Sequence, residues 1–139
     1  MSTITLGLLP AEFSIHRLSA QHSLADVLKE FDAPAGALNK SLFATLQSAD
    51  ELSIVCEASL AINAQHTSGP WRAMRVIGQL DFALTGILSG LTAPLAAAKI
   101  SIFAISSYDT DYLLVNANDL ESAMSVLENS GYQFSEPAN

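Results

Sequence analysis

Two short stretches of this chain carry residue types that could hold a small charged molecule. Thr85-Gly86-Ile87-Leu88 opens a helix-like run, and Ser106-Ser107-Tyr108-Asp109-Thr110-Asp111 lies between two strand-like runs. The first N–H groups of a helix have no partner within the helix, and the helix dipole adds partial positive charge there. A glycine at that point removes the Cβ that would keep an anion off the backbone, so Gly86 suits a carboxylate. Asp109 and Asp111 are two residues apart, which in extended chain puts both carboxylates on one side. They suit an ammonium or guanidinium, through charge-assisted hydrogen bonds of roughly 1.5–3 kcal/mol each. Ser106 and Ser107 add hydroxyls beside them, and Phe82 and Tyr108 can flank a small ligand. A free amino acid carries both complementary charges. Each feature also has a simpler use: Thr85 can cap the helix, Asp109 can bond turn N–H groups, and the serines can satisfy nearby backbone.

Other chemistries find less support. His16, His22 and His66 are spaced as no zinc site is, and two carboxylates are too few ligands for a divalent metal. Cys56 is the single cysteine, so there is no internal disulfide, and its apolar surroundings suit a small buried hydrophobe. No G-x-S-x-G nucleophile elbow occurs. The expectation is a protein without catalysis, metal or cofactor.

Half of the 139 residues are hydrophobic and 14% are charged, which suits a buried core rather than disorder. The net charge of −8, with Arg17, Lys29, Lys40, Arg72, Arg75 and Lys99 scattered, argues against a nucleic-acid partner. The N-terminus lacks the basic start and long apolar core of a secretory signal. Gly86, Gly90, Pro94 and Lys99 interrupt the apolar run Phe82–Ile105, so no membrane span is expected, and the location expected is the cytoplasm.

These residues need elements to position them. Ile4–Leu9 and Glu12–Leu18 read as two strands separated by Pro10. A helix over Leu24–Phe31 follows, with Ser23 as N-cap, and then strands at Ser41–Gln47 and Glu51–Cys56. Asn63–Pro70 reads as a polar connector. Trp71–Ile77 is a strand ended by Gly78, and a helix over Gly86–Ala98 has Thr85 as N-cap. Ile100–Ser106 and Thr110–Asn116 are strands. A helix over Asp119–Asn129 follows, with Asn118 and Glu121 as a capping box and Gly131 at its end. A short strand lies near Gln133–Phe134. Helices on one face of a mostly antiparallel sheet make an α+β, ferredoxin-like layering.

The segments Glu51-Leu52-Ser53-Ile54-Val55-Cys56, Trp71-Arg72, Phe82-Ala83-Leu84-Thr85-Gly86-Ile87-Leu88 and Ile105 to Val115 resemble the ACT domain. The resemblance is closest to tandem ACT-like proteins of the aspartate-kinase-like and CASTOR type. It is strong over Trp71–Val115 and weak in the first 45 residues. It implies a βαββαβ sandwich in two ACT-like lobes, an abbreviated one at 1–65 and a complete one at 66–139. It also implies a non-catalytic regulatory or sensor protein that binds an amino acid and pairs as a homodimer. Asp111 matches an acidic ligand-contact position in the arginine-sensing relatives. Thr85, Gly86, Ile87, Leu88, Ser106, Ser107, Asp109 and Asp111 are the expected ligand-binding set. The alternative is a protein–protein interaction module with no small-molecule ligand.

Overall fold

The computed structural model describes residues 4–30, 42–77 and 85–135. The elements in order are β1 (Thr5–Ser19), α1 (Leu24–Glu30), β2 (Ala44–Gln47), β3 (Glu51–Glu57), β4 (His66–Val76), α2 (Ile87–Ala97), β5 (Ile102–Ser106), β6 (Asp111–Asn116), α3 (Leu120–Asn129) and β7 (Gln133–Phe134). They form two compact units. One runs from Ala11 to Trp71, and the other takes the chain up to Pro10 and from Arg72 onward. By packing the chain therefore changes unit within β1 and within β4. By order along the chain, a β-α-β-β-α-β run begins at β4.

In the unit from Ala11 to Trp71 the strand order is β2-β3-β1-β4. β1 and β3 pair antiparallel, with Leu18 opposite Leu52, His16 opposite Ile54 and Ser14 opposite Cys56. Directly opposed residues share a face, and on this face Leu18, Val27, Leu52, Ile54 and Cys56 form a buried core. α1 covers it as the Leu24, Val27 and Leu28 stripe predicts, and Ser23 Oγ accepts the Asp26 N–H at 3.1 Å as an N-cap. No helix links β3 to β4. Instead Leu60, Ile62 and Ala64 pack onto the core from a coil. Cys56 is fully buried, and burial first, then the neighbouring Glu57 charge, pushes its thiol up to about 11.

In the other unit the strand order is β1-β4-β6-β5, with β7 parallel beside β1. Leu6, Met74, Val76, Leu91, Leu95, Leu113, Val115, Ala123 and Leu127 make its core, so α2 and α3 both lie on one face. Buried residues recur at 91 and 95 in α2 and at 123 and 127 in α3, one turn apart as an amphipathic helix requires. The result is the expected ferredoxin-like α+β layering.

Several local readings need correction. β1 is one strand that continues through Pro10, an exposed residue; proline is tolerated in a strand where its missing N–H is not needed. His66–Pro70 is not a connector but the first part of β4. His16 Nδ1 meets Thr67 Oγ1 at 2.9 Å, and a Cβ on Gly69 would lie 3.1 Å from the Phe13 carbonyl oxygen. Close backbone approach, not hydrophobicity, makes this polar segment a strand. The capping box at Asn118 is absent: Asn116 Oδ1 accepts the Asn118 N–H at 3.1 Å and caps a short 3₁₀ turn, and Asp119 occupies the N-cap of α3. Gly131 does end α3, at φ 103°, with the Tyr132 N–H bonded to the Leu127 carbonyl. Gly78, Phe82 and Phe31 lie outside the described residues.

Candidate functional site

Asp111 begins β6 and is paired with Ser106, the last residue of β5. Ser106 Oγ donates to Asp111 Oδ1 at 2.6 Å, so one carboxylate oxygen is held by the sheet itself. The turn between them is closed by Ser107. Its N–H and its hydroxyl both donate to the Thr110 carbonyl, each at 2.9 Å, and its Oγ accepts the Thr110 N–H at 3.2 Å. Thr110 is buried, and its hydroxyl donates to the Val76 carbonyl at 2.6 Å.

That last bond orders the whole edge. β5 and β6 are antiparallel, so β5 ends where β6 begins. Val76 is the end of β4, so β4 ends at the same edge. Side chains alternate along β6, and Leu113 and Val115 belong to the core that includes Leu91 and Leu95 of α2. Asp111 thus lies at the end where β6 begins, on the face that carries Leu113 and Val115.

The start of α2 differs in one detail from expectation. Gly86, not Thr85, holds the N-cap position, at φ 79° and ψ 0°, a left-handed conformation that glycine adopts without strain. Thr85 is exposed, no side chain caps the helix, and the first turn has no acidic residue. Ile87 and Leu88 pack against the core, which leaves their backbone as the polar surface of the turn. Gly86 also carries the Ser89 hydroxyl, 3.3 Å away, and the Gly90 N–H on its carbonyl.

Asp109 sits in the bend of the turn and is exposed, as is Tyr108. The two-residue alternation that would align it with Asp111 holds only in extended chain. Sequence reasoning missed Thr110, which locks the turn to β4; the signal was the Ser107-x-x-Thr110 spacing of a hydroxyl-closed turn. Trp71 donates from Nε1 to Ser68 Oγ at 3.1 Å.

The histidines remain apart. His16 is buried and its ordinary titration is pushed down by desolvation, while Nε2 has no partner among the described residues. His22 meets Ser19 Oγ at 3.2 Å, and His66 is exposed. Among the described residues no group of three or more His, Cys, Asp or Glu is placed to hold a metal ion. Nor is any helix among them long and apolar enough to cross a membrane. A separate cleft of about 540 Å³ lies in the unit from Ala11 to Trp71, lined by Leu18, His22, Asp26, Val27, Ala61, Ile62 and Asn63.

Residues 67–129 match the ACT domain. The human cytosolic arginine sensor for mTORC1 subunit 1 is 41% identical over 59 residues, which are 42% of this chain and 18% of the sensor. The chain spans less than half the length of the curated relatives it matches. The crystal structure of protein Atu0741 from Agobacterium tumefaciens is 30% identical, covers 100% of this chain and 99% of that one, and has a TM-score of 0.78. The regulatory subunit of aspartate kinase from Thermus flavus gives a TM-score of 0.61 over 93% of this chain and 97% of that one. At 9% identity that likeness is one of fold alone.

Proposed function

The chain belongs to the ACT-domain family, and from that premise we propose that it is a non-catalytic regulatory or sensor protein that binds a free amino acid. The ligand carboxylate meets the N–H groups of Gly86, Ile87 and Leu88 beside Thr85. Its ammonium or basic side chain meets Asp111, with Ser106, Ser107 and Asp109 around it. What supports this reading is an α2 start without a side-chain cap, together with a carboxylate, Asp111, on the face of β6 whose Leu113 and Val115 pack with α2. Complementary charge at a helix start and a carboxylate suits a zwitterion.

In this reading the chain holds two ACT-like lobes, an abbreviated one over 1–65 and a complete one over 66–139, works in the cytoplasm and pairs as a homodimer. The adjacent strands β2-β3-β1, with α1 packed on their core, support the abbreviated first lobe. ACT-domain relatives that are regulatory parts of larger systems support the absence of catalysis.

A thermal-shift screen of the twenty amino acids tests the proposal. A ligand at about 100 times its Kd adds roughly 2.7 kcal/mol of stability, a rise of several degrees. Asp111→Asn is expected to abolish that rise while leaving the free protein folded. Should no amino acid move the melting temperature of the natural chain, the reading yields to an interaction module without a small-molecule ligand.

A further inference from the structure

The unit from Ala11 to Trp71 holds a second place where charge and apolar surface meet. Between β3 and β4 the chain crosses the sheet as coil, where the other unit has the ten-residue α3. The seven-residue α1 and this coil leave between them the cleft of about 540 Å³, within the usual range for small-molecule sites. Its floor is Leu18 of β1 and Val27 of α1, both part of the buried core, and Ile62 of the coil packs against that core.

Three polar groups stand around this floor with capacity to spare. The Asp26 backbone N–H is used by Ser23, but its carboxylate has no partner among the described residues. The same holds for the Asn63 amide. His22 is anchored at two points, through Nδ1 to Ser19 Oγ at 3.2 Å and through its carbonyl, which accepts from Gln47 Nε2 at 3.1 Å. That anchoring leaves Nε2 as the free ring nitrogen. Arg17, a cation on β1, is taken up by Glu51 at 3.8 Å and Gln65 at 2.9 Å. The lining has one anionic group and no cationic one.

We propose that this cleft is a binding site for a small organic amine with an apolar body. The ammonium pairs with Asp26, Asn63 and His22 Nε2 provide neutral hydrogen bonds, and the apolar part covers Leu18, Val27 and Ile62. A carboxylate-bearing analogue without the amine loses the ion pair and is repelled by the Asp26 carboxylate, which outweighs what neutral Asn63 and His22 can offer. The site stands apart from the Asp111 edge and does not depend on how that edge is read.

Phenethylamine, 2-phenylethanol and phenylacetate share a body and differ in charge, and amide chemical-shift titration of the natural chain with each tests the site. Phenethylamine is expected to shift the amides of the cleft-lining residues saturably, with the alcohol weaker and phenylacetate without effect. Asp26→Asn, an exposed substitution, lowers phenethylamine affinity about tenfold, the scale of one charge-assisted hydrogen bond. Ala61→Trp, also at an exposed position, fills the cleft and removes binding of the amine and the alcohol. Asp111→Asn leaves the titration unchanged. The proposal is overturned if phenethylamine shifts no cleft amides, if phenylacetate binds as well as the amine, or if Asp26→Asn leaves the affinity as it was.

Discussion

The two units start from similar strand patterns and cover their sheets differently. The unit from Arg72 onward has α2 and α3 side by side over nine buried core residues. Among the described residues, the unit from Ala11 to Trp71 has one helix of seven residues and a coil over five. The contrast teaches that layer completeness, more than strand content, decides where a fold leaves room. A full helical layer confines polar chemistry to strand ends such as that of Asp111. An incomplete layer opens a cleft onto the core itself.

The largest expected effect probes packing in the complete layer. Leu127 is fully buried, and Leu127→Ala should lower stability by about 2–5 kcal/mol in urea unfolding. Val27 borders the cleft, and Val27→Ala should cost less, about 2 kcal/mol, because the transfer loss adds little new cavity. Equal losses at both sites would erase the contrast between the units.

A smaller effect concerns the edge. Thr110→Val keeps the shape but strips the hydroxyl from the Val76 carbonyl, with an expected cost of about 1–3 kcal/mol. Hydrogen exchange should then rise first at the ends of β4 and β6. Uniform exchange across the unit would show that the bond is not what holds the edge.

His16 sharpens the comparison by pH. Its folded-state pKa is lowered by burial, so the stability it supports is present above the ordinary imidazole value of 6.5 and is lost as pH falls below it. The slope is at most about 1.4 kcal/mol per pH unit from this one group. Acid should loosen amides of β1 and β3 near His16 before those of α2 and α3, and His16→Gln should flatten that dependence. The smallest effect belongs to Gly86→Ala. A methyl there would meet Ser89 Oγ at 4.0 Å, an ordinary contact, so the cost is the left-handed backbone, about 1 kcal/mol by urea unfolding.

Much of this fold is legible in the residues. The stripe Leu120, Ala123, Met124, Leu127 marked α3, and the runs Ile100–Ser106 and Thr110–Asn116 marked a strand pair, because helix and strand periods are local. The caps were harder. Asn118 and Glu121 had the spacing of a capping box, yet Asn116, two residues earlier, took the Asn118 N–H and began a 3₁₀ turn. The site was half legible: Gly86 and Asp111 stood out by type, but the role of Thr110 depends on a carbonyl 34 positions away.

Local order therefore determined the helical faces, the strands with alternating apolar residues and the acidic and glycine residues that mark a charged site. Tertiary structure alone made a strand of His66–Pro70, where neighbours from β1 meet a polar segment with no hydrophobic signal of its own. It alone tied Thr110 to the Val76 carbonyl and so the start of β6 to the end of β4, since such hydrogen bonds join residues far apart in the chain and their geometry is not written in any short window of it.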